Sequence, residues 1–274
     1  MNRLSIQDRT RIVSCLVEGS GINATCRMTG ISKPTVLKLL ADLGRVCYAY
    51  HDEHVRNVRS RRIQCDEIWS FVGAKQKNVS EEKMEQGWGD VWTWTAIDAD
   101  TKLMVSYMVG QRGARWAKAF MEDVASRVAS RVQITTDGHV AYAEAVEGAF
   151  GMDCDYAMLI KLYGNPSLPD TRYSPGECIG TETKIMSGNP DPSHISTSFV
   201  ERANLTMRMS IRRFTRLTNA FSKKLENHEA AIALHYMHYN YCRIHKTLRV
   251  TPAMEAGISD HVWSIEELVG LLAS

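Results

Sequence analysis

The sequence predicts an α/β chain, a central sheet with helices packed on it, preceded by a short helical unit and followed by a helical tail. Three observations carry that expectation. The stretches RIQCDEIWSFVG, VWTWTAID and KLMVSYMVG are dense in β-branched and aromatic residues. An amphipathic stretch, a short VQITTD and a second amphipathic stretch follow them, giving three strands, a helix, a strand and a helix. The first 45 residues, and most of 198–274, instead place apolar residues at helical spacing.

Taken in order, Ser5 is an N-cap for a helix over 6–18, with Ile12, Val13, Leu16 and Val17 at helical spacing. Gly19-Ser20-Gly21 breaks it, and a short helix around 23–28 leads to the turn Thr29-Gly30-Ile31. Ser32 then caps KPTVLKLLADLG, where Pro34 fits the first turn and Gly44 closes the helix. Two short helices joined by a Gly-containing turn make a helix-turn-helix pattern, in which Lys33, Thr35 and Lys38 would meet DNA. Residues 46–62 read as a hinge or helical linker ending in the basic pair Arg61 and Arg62. The three strands follow, with a turn at Asp98-Ala99-Asp100 between the last two. Next come a helix over about 113–130, the strand VQITTD, a helix at about 139–150, and a fifth strand in DCDYAMLI. Residues 161–197 hold five of the seven prolines and read as a loop or hairpin excursion. A long helix starts at 198, another lies near 220–241, a short one follows Thr251-Pro252, and the last is capped by Ser264 with Glu267. The division is a helix-turn-helix domain over 1–45, a linker over 46–62, an α/β domain over 63–215 with an insertion at about 161–197, and a helical region over 216–274.

Composition excludes several classes. Among 274 residues, 44% are apolar and 23% charged, ordinary for a globular protein. No run reaches the about 18 apolar residues of a membrane-spanning helix, and the N-terminus lacks the apolar stretch of a secretory signal. Seven scattered cysteines without a C-x-x-C pair point to reduced thiols in a cytosol rather than a zinc ribbon. There is no phosphate-binding P-loop, zinc-peptidase motif or serine-nucleophile elbow. The net charge of +2 conceals an uneven distribution. Residues 1–62 carry 11 Lys+Arg against 5 Asp+Glu, 63–200 carry 12 against 19, and 201–274 carry 10 against 7. An acidic centre between basic ends suits an enzyme that grips nucleic acid while concentrating cations.

Three acids stand out. Asp66 interrupts an apolar strand, and Asp137 ends VQITTD where a strand opens into a loop. Glu201 opens a helix in SFVERANLTMR. Each has a plainer explanation: a strand-edge acid, a helix cap, and the capping-box partner of Ser198. A helix over 198–214 would put Val200, Ala203, Met207, Ile211 and Phe214 on one apolar stripe and Glu201, Asn204, Arg208 and Arg212 on the next. Seven basic residues, Arg213 among them, and no acid lie in 202–225. A cap explains Glu201 alone, whereas a metal ligand on a helix that tracks a phosphate backbone explains the whole stripe. In HYNYCRIHKTL, Arg243, His245 and Lys246 either line DNA or pack a helix end.

CDEIWSFVG, TTDG, STSFVERANLTMR, FTRLTNAFSKK and HYNYCRIHKTLRVTPAMEAGI together resemble the DDE transposases of bacterial insertion elements, in particular the insertion-sequence-one family, over nearly the whole chain. The resemblance implies a ribonuclease-H-like catalytic domain with an N-terminal helix-turn-helix and a helical C-terminal extension. It places the catalytic, metal-binding acids at Asp66 on the first strand, Asp137 after the fourth and Glu201 on a later helix. It implies two Mg²⁺ ions per active site, with Mn²⁺ as a substitute, and no covalent protein–DNA intermediate. It implies element ends and target DNA as partners, and a homodimer or larger assembly on DNA, in a bacterial cytoplasm and at the nucleoid when bound. Longer members of the family carry an N-terminal zinc-binding module that has no counterpart in this sequence. Two other functions share these features: a DNA-binding regulator with a vestigial catalytic domain, and a nuclease of the same fold that does not join strands.

Overall fold

A six-stranded mixed sheet forms the centre of the protein, in a computed structural model that describes residues 4–164, 176–215 and 219–273. Its strands are β1 (Arg62–Val72), β2 (Gly89–Asp98), β3 (Met104–Gly110), β4 (Val132–Thr136), β5 (Cys154–Tyr163) and β6 (Cys178–Ser187). They lie in the order β3-β2-β1-β4-β5-β6. The β1–β2, β2–β3 and β5–β6 pairs are antiparallel, and β1–β4 and β4–β5 are parallel. The expected five strands are all present, and the 161–197 excursion contributes the sixth as one arm of a hairpin. Its tip, 165–175, lies outside the described residues.

Alternation along β1 sends even and odd residues to opposite faces of the sheet. On the odd face, Ile63 and Cys65 join Trp94 and Ala96 beneath α5 (Ala114–Arg127) and α6 (Ala141–Phe150), in a cluster built on Phe120, Val124, Tyr142 and Val146. On the even face, Ile68 and Ile97 join a second, larger cluster. It takes in α1 (Ile6–Val17), α3 (Lys33–His54), α7 (Ser198–Ser210) and α8 (Leu225–Met237), together with α10 (Ile265–Gly270). The short α2 (Ile22–Thr29), α4 (Glu81–Glu85) and α9 (Pro252–Glu255) complete the helices.

Several expected ends are present. Ser5 Oγ accepts from the Asp8 amide, Thr251 Oγ1 accepts from the Met254 amide, and Ser264 and Glu267 form a full capping box. Gly30 ends α2 at φ 75°. Ser32 is the N-cap residue of α3, but its hydroxyl bonds Thr35 instead of a backbone amide.

Two expectations are corrected. Gly44 does not close α3, which runs 22 residues, so 46–54 is helix and not a linker. The reason is packing. A Cβ at Gly44 would stand 2.4 Å from Ala230 Cα, so the missing side chain lets α3 and α8 cross closely. The following turns bury Cys47 and His51. The helix from 198 is also shorter than 198–214. It stops at Ser210, Ile211 is extended, and a single 3-10 turn covers Arg212–Phe214. The apolar stripe is nonetheless buried throughout, including Ile211 and Phe214.

Candidate active site

β1 and β4 pair only as far as Cys65 and Thr136, so Asp66 and Asp137 follow side by side where two adjacent parallel strands part. The chain leaves β1 toward β2 and leaves β4 toward β5, and crevices at such switch points are where open α/β sheets bind ligands. Carboxylate oxygens of Asp66, Asp137 and Glu67 all lie within 4.8 Å of one another.

Each acid is held differently. Asp66 Oδ1 accepts from the Glu67 amide at 2.8 Å, and Asp66 Oδ2 accepts from Asn204 Nδ2 at 2.8 Å. Asn204 is in turn oriented by the Thr95 hydroxyl, which donates to its Oδ1. Burial, then the Glu67 and Asp137 charges, push Asp66 up to about 7. Glu67 lies on the opposite face, its side chain only 1% exposed, taking Arg112 Nε at 2.6 Å and the Tyr142 hydroxyl at 3.1 Å. Its pKa is also raised, by burial and by Asp137, against the lowering effect of Arg112. Asp137 Oδ1 accepts from the His139 amide. Three carboxylates thus share one crevice, with the Arg112 guanidinium held on Glu67 alone among the described residues, an arrangement that a proton or a cation relieves.

The donor set decides which cation fits. It is all oxygen and all carboxylate, with no sulfur or imidazole in the group, which suits Mg²⁺ or Mn²⁺ and not zinc.

Glu201 is on α7 as expected, one turn before Asn204, but its carboxylate is not part of the group. Lys161 Nζ of β5 pairs with Glu201 Oε2 at 2.5 Å, and the Thr197 hydroxyl donates to Oε1 at 2.5 Å. The capping-box alternative is overturned. The N-cap is Thr197, and no side chain caps α7 in that way. Instead Gln64 Oε1 of β1 accepts from the Phe199 and Val200 amides, which docks the helix start on the sheet.

The basic residues separate into groups. Asn204, expected at DNA, is 7% exposed and bonded to Asp66, so it positions an acid and does not face a ligand. Arg62 pairs with Asp100 and Lys38 with Asp42, while Thr35 bonds Ser32. Lys33, Arg61, Arg212, Arg243 and Lys246 are exposed, and Arg208 and Arg213 are partly buried. His245 lies close enough to Lys102 for that charge, after burial, to lower its pKa. Lys102 in turn sits over the Phe199 ring at the start of α7.

Sequence reasoning missed Glu67 and Lys161. Glu67 is adjacent to Asp66, and strand alternation assigns neighbours to opposite faces; only the opening of the sheet past Cys65 brings both to one crevice. The signal for Lys161 was the lysine in an otherwise apolar strand, MLIKLY.

No family model matches the chain, and no curated protein matches it. Among solved structures, it is similar to the cryo-EM structure of a piggyBac transposase synaptic complex with hairpin DNA, at 12% identity and a TM-score of 0.41, with 98% of this chain and 71% of that chain covered. At that distance the likeness carries no chemistry.

Proposed function

We propose that this protein is a DNA transposase of an insertion element, cutting element ends and joining them to target DNA by metal-dependent phosphoryl transfer. The observation that carries the reading is the Asp66–Glu67–Asp137 carboxylate group at the parting of two parallel strands. The order of motifs along the chain supports it. So does the agreement between the sheet order and a ribonuclease-H-like fold, with an acid on the first strand, one after the fourth, and one on a later helix.

In this reading Asp66 and Asp137 would hold Mg²⁺, with Mn²⁺ as substitute, and Glu201, now paired with Lys161, would be the further ligand for a set of two ions. Bound divalent cations supply Lewis-acid charge at the scissile phosphate and lower the pKa of an attacking water or 3′-hydroxyl. The chain's own residues do the rest. Asn204 fixes the Asp66 carboxylate through a hydrogen bond. Arg112 and Tyr142 hold Glu67 at the edge of the crevice, so that it adds negative charge without collapsing into the crevice. Lys161, if Glu201 turned to a metal, would be left as a cation beside the site, available to a phosphate oxygen. The partners are element ends and target DNA, held by a dimer or larger assembly, in the cytoplasm and at the nucleoid.

The test is cleavage and joining of a labelled duplex carrying the element ends, with Mg²⁺ or Mn²⁺, comparing wild type with Asp66→Asn, Asp137→Asn and Glu201→Gln. Loss of at least about a hundredfold in both steps is expected for each variant, with folding intact. Cleavage without joining of pre-cut ends would make the protein a nuclease. Full activity in Asp66→Asn would remove the metal centre from the reading altogether.

A further inference from the structure

A groove of about 670 Å³ lies away from the carboxylates, between the α1–α2 turn and α3 on one side and residues 210–213, residues 219–224 and α8 on the other. Among the described residues six cations line it, namely Arg27, Lys33, Arg212, Arg213, Lys223 and Lys224, and no Asp or Glu does. Among the described residues none of the six is in an ion pair, whereas Lys38, Arg45 and Arg62 all are. A positive groove left unpaired by its own chain is matched to an anion from outside.

Three further observations point the same way. The α2 N-terminus opens into the groove at Gly21, Ile22 and Asn23 without a side-chain cap, so its first amides and the positive end of its dipole face the same space. The aliphatic stem of Arg212 is packed against that end, since a Cβ at Gly21 would lie 3.5 Å from Arg212 Cγ. Second, Arg213 is partly buried with one described hydrogen bond, to Ser222 Oγ, and burial lowers it only to about 10, so it stays charged. Third, His235 lines the groove at 5% exposure with a buried, unpartnered Nε2, and burial holds its imidazole neutral, at about 3, so the wall there is polar without carrying charge.

The floor is apolar, with Leu37, Leu40, Ile211 and Leu234. Cations around an apolar floor fit a ligand that is anionic along one side and flat and apolar on the other. We propose that this groove binds a nucleic-acid strand, with phosphates on the α2 N-terminus and the surrounding cations and nucleotide bases on the floor. The inference deepens the nucleic-acid reading above by adding a second contact remote from the chemistry. Glu201 and Ser210, which lines the groove, stand near opposite ends of α7, about 13 Å apart along the helix at about 1.5 Å per residue. A strand held here is therefore anchored several nucleotides from the carboxylates.

The experiment reads binding alone, so it stands whether or not the protein joins DNA. Full-length protein carrying Asp66→Asn is titrated in EDTA against labelled random-sequence single-stranded and duplex oligonucleotides, with and without Lys223→Glu and Lys224→Glu together. Both lysines are exposed, so folding is expected to survive, and circular dichroism checks it. Lys223→Gln with Lys224→Gln is the milder pair if it does not. The expected result is at least a tenfold loss of affinity for one or both oligonucleotides. The slope of log affinity against log salt should also fall by about 0.7 per lost phosphate contact on a single strand and about 0.9 on a duplex. Whichever oligonucleotide loses affinity names the form that the groove holds. Unchanged affinity and slope for both would overturn the proposal. So would inorganic phosphate at equal molarity displacing the oligonucleotide, which would make this a small-anion site.

Discussion

Asp66 carries opposed demands. Its carboxylate sits among burial and two other acids that push it up to about 7, while the Glu67 amide and Asn204 favour the charged form. A folded-state pKa above the ordinary value of about 3.9 means that the metal-free folded protein binds a proton which the unfolded chain releases. That contribution to stability is fully present below pH about 4, and is lost as pH rises through about 7. Thermal unfolding in EDTA between pH 5 and pH 8 should therefore show a falling midpoint, by several degrees. Asp66→Asn should flatten the fall and raise the midpoint at pH 8, and Mg²⁺ should do the same for wild type. A midpoint in Asp66→Asn that tracks wild type across the range would mean that Asp66 is not the strained group. Lys161 gives a second residue-scale prediction. Its pair with Glu201 is about a third exposed on both sides, at 31% and 39%, and such pairs are worth roughly 0.2–1 kcal/mol. Lys161→Gln should thus tighten Mn²⁺ binding by calorimetry about two- to fivefold, if Glu201 joins the ions. The acids were legible in the sequence because a charge on an apolar strand or at a strand end is conspicuous. Their partners were not, since Arg112, Tyr142 and Lys161 reach them across 40 or more residues of chain.

At the scale of elements, the sequence read most strands and caps from alternation and from capping chemistry, both of which are local. It failed where a long-range contact overrides a local signal. Gly44 looked like a helix end but is the crossing point of α3 and α8, with Ala230 2.4 Å from where its Cβ would be. Replacing it should do more than remove glycine's helix penalty. Gly44→Val is expected to cost about 1–3 kcal/mol or more in chemical denaturation, because the obstructing atoms are backbone and cannot swing away. A stabilised Gly44→Val would mean that the two helices do not approach in this way. The end of α3 is tied down by Arg127 of α5. That guanidinium, 3% exposed, holds Asp52 and Asp123 at 2.7 Å each and donates to the Val55 carbonyl. Arg127→Ala leaves Asp123 with only the Ser106 hydroxyl and the Val55 carbonyl without its side-chain donor. A loss of about 3 kcal/mol or more is expected, read as a lower denaturant midpoint, with most of it recovered when Asp123→Asn is added.

At the scale of the whole molecule, composition suggested a basic DNA-binding unit beside a separate catalytic one. The helical N-terminus, however, shares one apolar cluster with the sheet and the C-terminal helices. Ile12, Val13, Leu40 and Leu43 are in it with Ile68 and Ile97 of the sheet, and with Tyr241 and Leu268. A helix-turn-helix that folded alone would keep its apolar stripe for itself. Here that stripe is completed by α8, α10 and the even face of the sheet, and periodicity cannot tell which surface completes it. Unfolding should therefore be cooperative across the chain. Far-UV circular dichroism, dominated by helices at both ends, and the fluorescence of a variant keeping Trp94, fully buried on the opposite face, as its one tryptophan should report one transition with the same midpoint. Removing residues 1–32 should lower both midpoints together, because it takes Ile12, Val13 and Val17 out of a cluster that also supports α7, the helix carrying Glu201 and Asn204. An N-terminal transition separable from that of Trp94 would instead mean two independent units. The acid group would then keep its stability without the first three helices, and the groove between them and α8 would open and close independently of the carboxylate site.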